Sequence, residues 1–291
     1  MENNIKHALI TGATSGIGYE LAKLFATEGY NMVLVARNQE NLEITASELQ
    51  ALNPNIHCHV IAIDLFQDGA AQKVYEVTSG MGITINVLVN DAGQGEWGPF
   101  SQTDLKREID IIHLNIISLV SLTKCYLKEM IARNEGKILQ LASSVSKVPS
   151  PSLSVYAATK AFVLSFTEAL IEELKDTNVT VSALQPNATD TDFFHKAKAE
   201  NSKIYREGSM YSPEEVAKAG FEGLMNEEAT IVPGIKNKLQ NTMNLVTPDN
   251  VMAKNMAEQN KPSEKTSGRL NSHHAASVRE RKSIQKANGD F

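Results

Sequence analysis

Cysteine is scarce in this 291-residue chain, which holds two, Cys58 and Cys125, far apart in sequence. Two distant thiols make no disulfide framework, so a reducing, cytoplasmic setting is the expectation. Positive charge is in deficit. A formal net charge of −6 gives no global attraction to nucleic acid or anionic lipid. No uninterrupted apolar run approaches the ~18–20 residues that cross a bilayer, so no membrane span is expected. Residues 1–7 lead into a strand-like stretch without the apolar core of a signal peptide. Metal-ligand spacing is missing too. His57 and His59 would share a strand face, but no carboxylate or further histidine stands near them, and His273-His274 is too little for a site. With 42% hydrophobic and 21% charged residues, the chain has the composition of an ordinary globular protein. It is long enough for one large α/β domain or two small ones.

What is present begins with a strand, a glycine turn and a helix. Residues 7–11 read as a buried strand, followed by Gly12-Ala-Thr14-Ser15-Gly16-Ile17-Gly18 and an amphipathic helix with Leu21, Leu24 and Phe25 on its apolar stripe. Glycines permit a tight turn and a close backbone approach, and the helix start offers free N–H groups to an anion, so the turn is expected to bind a dinucleotide phosphate. A second strand over 31–36 ends in Ala36-Arg37. A carboxylate is usual there when a free ribose 2′-hydroxyl is held. Its absence, with a guanidinium beside it, favours NADP(H) over NAD(H), the competing reading being a plain surface charge. Ser15 supplies no second cation.

Further strands are expected over 57–63, 86–90, 137–142 and 179–184, with a short last one at Ile231-Val232. They end in Asp64-Leu65, Asn90-Asp91-Ala92-Gly93, Ser143-Ser144 and Gln185-Pro186. Helices are expected over 40–52 and about 104–132. The second has an apolar stripe of Ile109, Ile112, Ile116, Leu119, Val120, Thr123 and Leu127, interrupted by Asn115, which is either a structural amide or a site residue. On the helix after the Pro/Ser-rich stretch 149–152, Tyr156 and Lys160 stand four apart on one face. An ammonium so close would favour phenolate and lower the tyrosine's pKa, making it a general acid/base. Residues 187–212 mix Phe193, Phe194, Tyr205, Met210 and Tyr211 with charges, the composition of a lid with an apolar underside or of a partner-binding loop. Ser212-Pro213-Glu214-Glu215 signals a helix start. Strands alternating with helices predict one doubly wound, Rossmann-type domain over 1–257, a seven-stranded parallel sheet with helices on both faces and a helical extension at its C-terminal end. The remainder, 258–291, is polar with an excess of Lys and Arg and reads as disordered or weakly helical.

Over residues 5–235 the chain resembles the short-chain dehydrogenase/reductase family. The motifs that carry the resemblance are Thr11-Gly12-Ala-Thr14-Ser15-Gly16-Ile17-Gly18, Asp64, Asn90-Asp91-Ala92-Gly93, Asn115, Ser143, Tyr156-x-x-x-Lys160 and Pro186 with Thr191. The resemblance implies that Tyr156 is the proton donor or acceptor and that Ser143 orients the substrate oxygen. Lys160 would hold the nicotinamide ribose, and Asn115 would support a water relay to it. Asp64 with Leu65 would meet the adenine, and Thr191 would lie near the carboxamide or phosphates. Two residues depart from the pattern: Asp91 stands where a neutral residue is usual, and Asn187 where glycine is usual.

The expected function is an NADPH-dependent carbonyl reductase, reversible as an alcohol dehydrogenase, on a small to medium apolar ketone, aldehyde or secondary alcohol. A homodimer or homotetramer is implied by the family. The competing reading is a non-catalytic dinucleotide-binding regulator.

Overall fold

The computed structural model describes residues 6–244 and 247–264. Seven parallel strands form one sheet in the order β3-β2-β1-β4-β5-β6-β7. They are β1 (His7–Thr11), β2 (Asn31–Ala36), β3 (Cys58–Ala62), β4 (Val87–Asn90), β5 (Gly136–Leu141), β6 (Val179–Leu184) and β7 (Thr230–Ile231). β1, β2, β4, β5 and β6 are buried almost end to end, as strands covered on both faces must be. Alternate strand residues serve opposite faces. Ala8, Ile10, Met32 and Leu34 pack with Leu21, Phe25, Leu42, Val216 and Leu224 on one side. Leu9, Val33, Val35 and Leu88 pack with Val74, Leu122, Tyr126 and Leu170 on the other.

The helices are α1 (Gly16–Thr27), α2 (Gln39–Leu52), α3 (Ala70–Gly80), α4 (Leu105–Ile112), α5 (Leu119–Arg133), α6 (Ser154–Glu173), α7 (Phe193–Lys196), α8 (Lys203–Glu207), α9 (Pro213–Met225), α10 (Ile235–Asn244) and α11 (Asp249–Asn260). Strand order reverses between β1 and β4, which opens the crevice at their C-terminal ends. The helix start expected at Ser212 is a full capping box. The Ser212 hydroxyl accepts from Glu215 N–H at 3.1 Å, and Glu215 accepts from Ser212 N–H at 3.0 Å.

The long helix expected over 104–132 is α4 and α5 joined by a π-helical segment, His113–Ser118. The wider turn holds an extra residue and shifts the helix face. Asn115 is turned inward, 1% exposed, while Ile109 and Ile117 face outward at 54% and 48%. Ile109 therefore does not belong to the buried stripe. The wider turn also serves a neighbour, because the Ser118 hydroxyl donates to the Leu65 carbonyl at 2.6 Å.

No uninterrupted apolar run of membrane length was expected, and two helices nonetheless reach that length by averaged hydropathy. By length and mean hydropathy alone, residues 105–133 and 154–173 both suffice to cross a bilayer. Each packs against the sheet, α5 on β4 and β5, α6 on β5 and β6, and Asn115 and Lys160 sit within them.

The boundary expected between 257 and 258 falls inside α11. Beyond it the chain is tied to the body. Lys203 N–H donates to Lys261 O at 2.9 Å, Ser263 N–H to Asn201 O at 2.7 Å, and Ser202 and Pro262 form an antiparallel bridge. Residues 265–291, most of the expected tail, lie outside the described residues.

Candidate functional site

One cavity of ≈ 430 Å³ runs along the crevice. Its wall includes Gly12, Thr14, Ser15, Gly16, Ile17, Arg37, Asp64, Leu65, Ala92, Gly93, Ser143, Tyr156, Lys160, Pro186 and Thr191. Residues separated by up to 179 positions thus meet at one place, because most stand in the loops that follow strand C-terminal ends and α6 brings Tyr156 and Lys160 over the same edge.

At the turn, Gly12 and Gly16 have φ of +73° and +58°, values that favour glycine. A Cβ on Gly12 would lie 2.9 Å from Asp91 Oδ2, and one on Gly16 3.0 Å from Thr191 Cγ2. Thr11 locks the turn to the end of β4. Its hydroxyl donates to Val89 O at 3.3 Å and accepts from the Asp91 and Ala92 N–H groups, each at 3.0 Å. At the far end of β2, the Arg37 guanidinium lies 5.6 Å from the Phe66 ring centre, and the Arg107 guanidinium lies 5.5 Å from the same ring. Asp64 caps its own loop, accepting from Phe66 N–H at 3.2 Å.

At the other end, Ser143 follows β5. Its backbone is set by a capping box, in which Ser143 N–H donates to Ser146 Oγ at 3.1 Å. Tyr156 faces Ser143, whose hydroxyl bonds to the phenol. The Lys160 ammonium donates to Leu141 O at 2.6 Å and stands 5.8 Å from the Tyr156 ring centre. Burial pushes the Tyr156 pKa up to about 12 against the pull of the Ser143 bond. Burial also brings Lys160 down to about 8, against the attraction of Asp91. The expected lowering of the tyrosine by the lysine is therefore not found. Desolvation governs the tyrosine, and the ammonium is turned to the Leu141 carbonyl.

Three expected site residues stand behind the cavity wall. The Asn90 amide is turned away and donates to Gln140 Oε1 at 2.9 Å and Thr123 Oγ1 at 3.1 Å, tying β4 to β5 and α5. Gly18 serves close packing, since a Cβ there would lie 2.7 Å from Gly12 O and 2.5 Å from Asp91 Oδ2. Asn115 donates to Gln94 O and Thr159 Oγ1, both at 2.9 Å, and accepts from Gln94 N–H at 3.0 Å. Its amide holds the loop after β4 against α6. Asn115 Oδ1 and Lys160 Nζ both border Gly93, 3.4 and 3.3 Å from where its Cβ would be. That places the amide beside the lysine without exposing it to the cavity.

Asn187, where the family pattern has glycine, has no positive φ. Its side chain bonds to Ser144 Oγ at 3.3 Å and Asn237 Oδ1 at 2.9 Å. Of the apolar residues singled out over 187–212, Phe193 and Phe194 line the cavity, and Tyr205, Met210 and Tyr211 do not. Tyr205 lies beneath, its ring 5.1 Å from that of Phe194. Sequence reasoning missed Phe66, Met256 and Asn260 on the wall. Asn260, 1% exposed, joins two loops: its backbone carbonyl accepts from Trp97 Nε1 at 2.8 Å, and its side-chain amide donates to Ser150 Oγ at 3.1 Å and Pro151 O at 2.7 Å. Nothing in the local sequence marks it, because these partners lie more than a hundred positions away. Among the described residues, no group of three or more His, Cys, Asp or Glu could hold a metal.

The residues present fit a dinucleotide. The backbone of the glycine turn is bare where a Cβ would fill the cradle, and the cavity runs without a break from Arg37 to Tyr156. The doubly wound sheet and the wall of Ser143, Tyr156 and Lys160 define the class, an NAD(P)-binding fold with the side-chain set of an oxidoreductase. The model of the short chain dehydrogenase family matches residues 6–202, and the chain belongs to that family. It is 37% identical over 179 residues to a very-long-chain 3-oxoacyl-CoA reductase of Mycosarcoma maydis, covering 61% of this chain and 51% of that protein. It is 36% identical over 186 residues to the human 17-beta-hydroxysteroid dehydrogenase type 3, covering 63% of this chain and 59% of that one. The chain thus spans little more than half the length of these relatives. A short-chain dehydrogenase from Sphingobium yanoikuyae, solved in complex with NADPH, superposes with a TM-score of 0.74 at 27% identity, covering 83% of this chain and 95% of that one.

Proposed function

We propose that the protein is an NADPH-dependent carbonyl reductase, reversible as an alcohol dehydrogenase, acting on a ketone carried by an apolar frame. The observation that carries this reading is the Ser143–Tyr156 hydroxyl pair beside a buried Lys160, on the wall of the same cavity as the glycine turn. Gly12 to Ile17 would hold the pyrophosphate, Asp64 and Leu65 the adenine, and Ala92, Gly93, Pro186 and Thr191 the nicotinamide half. When bound, the nicotinamide supplies or accepts the hydride. Everything else falls to the chain. Reduction builds negative charge on the substrate oxygen, which the Ser143 O–H stabilises and the Tyr156 O–H protonates. A phenol raised to about 12 is fully protonated at neutral pH, the state that donation requires. Lys160 would orient the ribose. Asn115 acts through others, keeping Gln94 and Thr159 in place behind Lys160.

NADP(H) over NAD(H) is supported by Arg37 on the cavity wall, with no carboxylate at Ala36 to oppose a 2′-phosphate. A substrate at or above the upper end of the small to medium range first expected is supported by the acyl-CoA and steroid names of the relatives. The apolar side chains of Leu153, Phe193, Phe194, Ile204 and Met256 on the wall support it too. A homodimer or homotetramer is supported by exposed Ile109, Ile117 and Phe162 on α4, the π segment and α6. Light scattering on the purified chain tests that. The catalytic test is NADPH oxidation with ketones and aldehydes of graded size, with Tyr156→Phe as control. Loss of roughly 10²–10⁴ in rate is expected in that variant, and turnover that survives in it rejects the tyrosine mechanism.

A further inference from the structure

Neither the glycine turn nor the tyrosine–lysine pair accounts for Asp91. Its backbone N–H is pinned to the Thr11 hydroxyl, so the side chain cannot swing away freely. One carboxyl oxygen, Oδ2, is wedged against the turn, 2.9 and 2.5 Å from where Cβ atoms of Gly12 and Gly18 would be. It accepts the Gly18 N–H, near the start of α1. The other oxygen, Oδ1, is buried with no hydrogen-bond partner. Asp91 nonetheless lines the cavity, at the place where the glycine turn would receive a pyrophosphate.

We propose that Asp91 takes up a proton from solvent when NAD(P) binds, so that the pyrophosphate anion enters the glycine cradle beside a neutral carboxyl group. The inference deepens the dinucleotide reading and rests on it. A carboxylate and a pyrophosphate would crowd one positive helix end, and like charges so placed disfavour joint ionisation. The groups facing Asp91 do not remove the conflict. From α1 comes the Gly18 N–H, from β1 the Thr11 hydroxyl, from α6 Lys160 with Tyr156 beyond it, and from α7 Lys196. Both lysines attract the carboxylate, yet each has another partner. Lys160 donates to Leu141 O at 2.6 Å, and Lys196 stands 3.5 Å from Asp192. Burial already pushes Asp91 up to about 7, so an entering anion has little further to raise it for the neutral acid to dominate. The neutral form also brings an O–H donor, which a carboxylate lacks.

The test is calorimetric titration of the whole chain with NADPH at about pH 8, in buffers of different ionisation enthalpy, which reads protons taken up on binding. At that pH the 2′-phosphate, with a second pKa of about 6, no longer titrates. The wild type is expected to take up roughly half a proton or more, and its affinity to fall roughly three- to tenfold per pH unit above neutrality. Asp91→Asn keeps an acceptor for Gly18 N–H and should lose most of the uptake. Lys160→Arg keeps the charge but removes the other group that titrates here, and should retain it. Uptake that is absent in the wild type, or lost in Lys160→Arg and kept in Asp91→Asn, overturns the proposal. Should Asp91→Asn not fold, the wild type and Lys160→Arg decide between them. Failure of NADPH to bind at all would sink the dinucleotide reading instead, a distinct result.

Discussion

Replacing Lys160 by methionine should stabilise the protein while abolishing its chemistry. Lys160 is 3% exposed, and burial brings its pKa from an ordinary 10.5 to about 8. Holding that ammonium charged at pH 7 therefore costs the folded state roughly 3 kcal/mol relative to a neutral side chain. Methionine has a similar length and carries no charge to desolvate. Against this gain stand the Leu141 carbonyl, which loses its 2.6 Å donor at a cost of about 1 kcal/mol, and Asp91, which loses the attraction of the ammonium. The net expectation at pH 7 is about 1–2 kcal/mol of added stability, a rise in Tm of about 2–8 °C for a chain of this size.

The sign with pH follows from the depressed lysine. Between about pH 8 and 10.5 the unfolded chain binds the proton that the folded chain has released, so wild-type stability contributed by Lys160 rises with pH across that window. Lys160→Met has no such rise, and its advantage should shrink as pH climbs. Asp91, left without its lysine, acts in the same direction, because its carboxylate becomes costlier to keep ionised above about pH 7. Urea unfolding at about pH 7 and about pH 9.5, with NADPH oxidation alongside, measures all three claims. A variant less stable than wild type at pH 7, or an advantage that does not fall with pH, refutes the reasoning that burial and not pairing governs Lys160.

Arg37→Ala should weaken NADPH binding roughly ten- to hundredfold, the loss of one charge-assisted pair, with NADH little changed; equal losses for both would remove the 2′-phosphate argument. Gly18→Ala places a Cβ 2.7 Å from Gly12 O and 2.5 Å from Asp91 Oδ2, so strain of about 1–3 kcal/mol should lower Tm by about 2–10 °C, and an unchanged melting curve would contradict the packing. Asn260→Ala removes the bonds to Ser150 Oγ and Pro151 O. A cost of about 1–3 kcal/mol should come with a raised KM for bulky ketones and an unchanged NADPH Kd, and a KM that does not move would show that Asn260 only braces the fold.

Where residues near in sequence decide the structure, the sequence could be read. Strand ends at Thr11, Ala36 and Asn90 agree with the apolar runs, and the Ser212 capping box follows from four adjacent residues. Local reading missed structure that distant elements impose. An apolar stripe cannot reveal the π-helical segment, because the shift it makes at Asn115 is fixed by Gln94 and Thr159, 21 and 44 positions away. Asn90 sits at the right strand end, but its side chain is claimed by Gln140 and Thr123. The Tyr156–Lys160 spacing put both on one face, yet spacing carries no information on burial, and burial decides both pKa values.

The division between a legible reaction and an illegible substrate has the same origin. The family match ends at residue 202 and contains the glycine turn, Ser143, Tyr156 and Lys160. The parts of the cavity wall added by Ile204, Met256 and Asn260 come from beyond it. That added wall is held by long-range bonds, such as the one from Trp97 to Asn260 across 163 positions. A nicotinamide and a phenol must meet in nearly one geometry whatever the ketone, so their residues recur as short motifs. On the proposed reading the far end of the pocket answers only to the substrate's shape, and that end would be the wall where α11 and the 202–208 segment meet. Exchanging α11 between two members of the family should therefore move the preferred ketone size while leaving cofactor affinity in place, and a chimera that changes cofactor affinity but not ketone preference would show the division to be drawn in the wrong place.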